Sequence, residues 1–95
     1  MAVKTIAFEP EKYFAQPDAQ ARLVAGAVHS DDAQFLIDAI AVVARARGMT
    51  ELARETGMTR QALYAAFGPK GNPTISTVMR VLTALGMTLE VRRAA

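Results

Sequence analysis

Residues 49–68, MTELARETGMTRQALYAAFG, read as two short helices on either side of a tight turn. Thr50 is a capping residue ahead of a first helix over residues 51–56. Gly57 breaks that helix, Thr59 caps a second one over residues 60–67, and Gly68 with Pro69 ends it. The spacing matches a helix-turn-helix unit for three physical reasons. Ala53 stands where the two helices come closest and a larger side chain would hold them apart. Gly57 stands in the turn, where positive φ is needed. Leu52, Met58, Leu63 and Phe67 supply an apolar seam, so Arg60, Gln61 and Tyr64 are left on the outer face of the second helix.

Working outward, residues 17–47 supply two supporting helices. Pro17 suits a first helical position and Asp18 a first turn. Leu23, Val24, Ala27 and Val28 then recur on one face, giving a helix over residues 17–28. Ser30 and Asp31 are both capping residues, and Leu36, Ala39, Ile40 and Val43 continue the period to Gly48, giving a helix over residues 32–47. Downstream, Thr74 caps a final helix to residue 85, whose expected apolar face is Ile75, Val78, Met79, Leu82 and Leu85. Residues 87–91 then alternate apolar and polar, the two-residue period of a half-buried strand, which pairs either with the N-terminal arm, residues 1–16, or with its counterpart in a second chain.

The residue types at 60, 61 and 64 fit duplex DNA. Arginine bonds bidentately to guanine, glutamine to adenine, and tyrosine packs on a thymine methyl or reaches a phosphate. The first turn of a recognition helix faces the base edges, which is where Arg60 and Gln61 fall. Thr50 and Thr59 at helix starts, with Lys70 and Asn72 in the following loop, suit the phosphate backbone. The alternative is an ordinary helical hairpin.

Charge supports a polyanion partner. The net charge is +2, yet residues 1–44 carry three Lys and Arg against six Asp and Glu, for −3, while residues 45–95 carry eight against three, for +5. The acidic half suits a basic protein. Ninety-five residues with 52% hydrophobic content allow one domain of modest core, for which a homodimer is expected. No cysteine and one histidine, His29, exclude thiolate and histidine metal sites and disulfides, and no cofactor is expected. No apolar run approaches the roughly 18 residues of a membrane span, and no signal peptide is read, so a cytoplasmic location is expected. His29 falls at a helix end, where capping or exposure accounts for it. The carboxylates Asp31, Asp32 and Asp38 share a helix with no paired catalytic group, so an enzyme is not expected. The five methionines read as core filler.

The stretch from Ala44 to Val91, above all LARETG, TRQALYAAF, GNPT and LTALGMTLEV, resembles the HigA-type addiction-module antidotes, helix-turn-helix antitoxins of the Xre group. The leading helices are similar too, so the likeness runs from about Tyr13 to Val91. A departure is Asp32, where proline is expected as often as not after Asp31. The resemblance implies an all-α, lambda-repressor-like helical bundle with a short C-terminal strand, dimeric, that neutralises a toxin of RelE/ParE-like fold and represses its own operon by binding double-stranded operator DNA. It transfers no toxin-contact residues. A toxin that acts on RNA presents a basic surface, which the acidic half would meet, with Phe8, Tyr13 or Phe14 of the arm as anchors. Two other readings remain: a phage-type or housekeeping repressor without a toxin, and an interaction module that has lost DNA binding.

Overall fold

The computed structural model describes residues 16–94, and the arm with Phe8, Tyr13 and Phe14 lies outside them. The described chain is helical throughout its regular structure: α1 (Pro17–His29), α2 (Ala33–Arg47), α3 (Met49–Thr56), α4 (Arg60–Ala66) and α5 (Ile75–Ala84). Local chemistry sets most of these limits. Thr59 Oγ1 accepts the amide of Ala62 at 3.0 Å and Thr74 Oγ1 that of Thr77 at 3.1 Å, each satisfying a first-turn N–H that the helix itself leaves unpaired.

Two caps differ from the expected ones. The cap of α2 is Asp32, whose carboxylate accepts from Gln34 N at 3.0 Å and Phe35 N at 3.2 Å. Asp31 instead takes φ of 61°, in the left-handed region that Asp tolerates better than most residues. Ser30 closes α1 through its own hydroxyl to the Ala27 carbonyl, so the chain needs one left-handed residue before it can start α2. Thr50 caps nothing. The N-cap of α3 is Gly48, and the helix begins at Met49 because that side chain is drawn into the core.

The core gathers on α3, which packs against α2, α4 and α5. Leu52, Leu63, Ile40, Val43 and Val81 are wholly enclosed, with Phe67, Val78, Leu82 and Leu85 buried around them. On α5 the buried row is Val78, Val81, Leu82 and Leu85. Ile75 and Met79, expected on that face, are exposed, because Val81 and not Met79 completes the stripe that meets α3. Met79 is therefore not core filler, although Met49 is buried and Met58 and Met87 are half-buried.

Residues 87–94 form neither helix nor strand, and no strand occurs among the described residues. Met87 N is tied back to the Leu82 carbonyl at 2.8 Å, after which Leu89 and Val91 are exposed. An alternating segment becomes a strand only when another strand supplies its ladder, and the described part of the single chain offers none.

Candidate nucleic-acid interface

Between α3 and α4 lie three residues, Gly57, Met58 and Thr59. Gly57 has φ of 72° and ψ of 14°, and a Cβ there would meet nothing within 4 Å, so its requirement is conformational and not steric. The adjacent Thr56 is buried and organises the turn. Its hydroxyl bonds the Leu52 carbonyl at 2.8 Å and accepts from Met58 N at 3.3 Å. Threonine at a helix end is an ordinary residue in a sequence, and only the fold shows this use.

The two sides of α4 are chemically distinct. Leu63 is wholly enclosed and Phe67, just past the helix end, is buried, whereas Arg60, Gln61 and Tyr64 are exposed, Tyr64 at 48%. Ala53 on α3 is half-buried. Thr59 is exposed at the start of α4 with its oxygen committed to the cap. Thr50 is exposed in the first turn of α3, and Lys70 and Asn72 are exposed in the loop beyond α4.

That loop is held against α4 by backbone contact. Gly71 N bonds the Gly68 carbonyl at 2.9 Å, and a Cβ on Gly71 would stand 2.1 Å from the Ala66 carbonyl oxygen. Only a residue without a side chain lets the loop turn so close to the end of α4, which in turn fixes where Lys70 and Asn72 emerge.

Ion pairs sort the basic residues. Arg47 pairs with Glu55 at 3.4 Å, and Arg54 pairs with Glu51, whose hydrogen bond and charge raise the arginine pKa above its usual value. Both pairs are solvent-facing and add little stability. Arg60 and Lys70 join no ion pair among the described residues. Beside α4 is a cavity of about 180 Å³ whose walls include Arg45, Leu63, Tyr64, Phe67 and Pro69. Arg45 was not singled out from sequence, because it lies on a helix read as support and its approach to Tyr64 is a product of packing. Among the described residues no group of three or more His, Asp or Glu side chains could hold a metal ion, and no helix is long and apolar enough to cross a membrane.

Residues 4–93 match the model of a family described as probable addiction module antidote protein. The chain belongs to that family. An uncharacterized protein of Haemophilus influenzae is 37% identical over 67 residues, which cover 70% of this chain and 69% of that protein. No solved structure matches. Membership of an antidote family implies a toxin partner, and antidote proteins of this kind are not in general enzymes.

Proposed function

We propose that this antidote is an antitoxin of the HigA type, of the Xre helix-turn-helix group with a lambda-repressor-like bundle, which binds and neutralises a RelE/ParE-like toxin and represses its own operon as a DNA-bound dimer. The family match favours this over a repressor with no toxin. The observation that carries the DNA-binding part is the sidedness of α4. Leu63 is wholly enclosed while Arg60, Gln61 and Tyr64 face outward, the arrangement needed for a helix anchored on one side and inserted into the major groove on the other. In this reading Arg60 and Gln61 meet base edges. Tyr64 borders them, and Lys70 and Asn72 take phosphates, with the Thr50 and Thr59 hydroxyls at the edge of the same contact.

Substitution separates these roles. Arg60→Ala should weaken operator binding by about 1–3 kcal/mol and relax base preference at one position in each half-site. Lys70→Ala should weaken binding to every sequence alike and reduce the salt slope by about one. Anisotropy titrations on the DNA upstream of the operon, at several salt concentrations, read both effects. If both variants bound like the wild type, α4 would not be the recognition helix.

A further inference from the structure

Of the seven large hydrophobic side chains exposed among the described residues, four gather on α5 and the segment that follows it: Ile75, Met79, Leu89 and Val91. Beside them lies a groove of about 350 Å³, walled by Glu55 at the end of α3 and by Met79, Arg80, Thr83 and Ala84 of α5. No residue of α4 lines it. The Thr83 hydroxyl is spent on the Met79 carbonyl at 2.9 Å, so it asks for no hydrogen bond from an occupant. Ile75, one turn before Met79, carries the same row further along the helix. The chain's own tail does not fill this groove, since Val91 is 99% exposed.

The tail has the shape and charge that the groove lacks. In an extended backbone Leu89, Val91 and Arg93 point to one side, and Glu90 and Arg92 to the other. Leu89 to Arg93 then spans roughly 13 Å, against roughly 12 Å of α5 from Ile75 to Thr83. Arg93 is exposed and joins no ion pair among the described residues, while the Glu55 carboxylate has a single 3.4 Å contact with Arg47 and lone pairs to spare. We propose that the groove between α3 and α5 receives the tail of a second copy of this chain, with Leu89 and Val91 on the row of Ile75 and Met79 and Arg93 meeting Glu55. The exchange is reciprocal, so each dimer makes the contact twice. Side chains leave a strand at right angles to its hydrogen-bonding edges, so the two tails remain free to pair through their backbones. This rests on the reading of the antidote as a dimer and names the surface that the partner tail covers.

The chain has no cysteine, so introduced thiols report the contact directly. Full-length Met79→Cys protein, isotopically labelled, is mixed with unlabelled Val91→Cys protein and oxidised mildly. A disulfide joining a labelled to an unlabelled chain is expected, and none when Ala21→Cys on the exposed side of α1 replaces Met79→Cys. Sedimentation equilibrium supplies the second reading. Val91→Asp should raise the dimer dissociation constant at least about tenfold, the loss that follows when one buried valine contact is forfeited. Glu55→Arg and Arg93→Glu should each weaken the dimer, and the two reversals together should restore it. Circular dichroism melts check that each variant keeps its fold, and the cross-link carries the test if a charge reversal does not. If the wild type is a dimer but positions 79 and 91 do not cross-link and Val91→Asp dimerises as the wild type does, the dimer stands and this contact is wrong. A disulfide within one chain of the double variant Met79→Cys/Val91→Cys would make the occupant the chain's own tail and overturn the exchange. If the wild type is a monomer at micromolar concentration, the dimer reading fails and this contact with it.

Discussion

Two glycines show why residue identity and residue environment must be weighed separately. Gly57 occupies the left-handed region with open space around it, so Gly57→Ala incurs only the conformational cost, about 1–2 kcal/mol. Gly71 is the opposite case. An added Cβ would stand 2.1 Å from the Ala66 carbonyl oxygen, which is backbone and has no rotamer to escape through. Gly71→Ala should cost at least as much as an overpacked core site, about 2–3 kcal/mol, or push the loop off α4. Urea midpoints of the two variants decide it, and equal or smaller loss at Gly71 would mean the loop yields freely. If the loop moves without unfolding the domain, Lys70 moves with it and the salt slope should fall as well. The turn glycine is readable from a sequence because φ is a local property. The need for glycine at 71 is not readable that way, because the obstructing group is a carbonyl at the far end of α4.

At the scale of elements, the apolar period marks the helices along the chain, and the structure departs from the sequence reading at their margins. Asp32 replaced Asp31 as the cap because one residue was needed to reverse the chain. Ile75 and Met79 fit an inward stripe in the sequence because a helix this short fits more than one, and packing on α3 selects the stripe that contains Val81. Alternation alone makes residues 87–91 a strand candidate, yet a ladder is a property of two segments. Leu89 is 45% exposed and Val91 99% exposed, so the segment is left with an apolar edge and unpaired backbone groups. Pairing across a two-fold axis would satisfy both, and a twofold protein suits a palindromic operator. Sedimentation equilibrium at micromolar concentration should therefore give twice the 10.2 kDa chain mass. Leu89→Pro, which removes one ladder donor and one apolar contact, should shift it toward monomer with helix content kept. A wild-type monomer under these conditions would exclude this mode of pairing.

Across the whole molecule, charge divides between the two halves of the sequence. The half that contains α4 carries +5 and the other half −3, and the exposed carboxylates Asp18, Asp31 and Asp38 lie on or between α1 and α2, and none of them lines the cavity beside α4. In the proposed function the toxin acts on RNA and presents a cationic surface, so its approach to α1 and α2 would be favoured and its approach to the Arg60 face opposed. Duplex DNA would experience the reverse. Under the proposed function, the same asymmetry would steer each partner toward its own side of the antidote. Replacing Asp18, Asp31 and Asp38 with asparagine brings the acidic half from −3 to 0 while sparing Asp32, whose carboxylate caps α2. Asparagine also tolerates the left-handed backbone at position 31. Stopped-flow mixing with the toxin at low salt should show association slowed by about tenfold, with the difference shrinking as salt is raised. Operator binding should be unchanged or slightly tighter, since the lost charges repelled phosphate. Equal association rates for the variant and the wild type at low salt would remove the acidic half from toxin recognition and leave the apolar contacts of the partner surface to account for it.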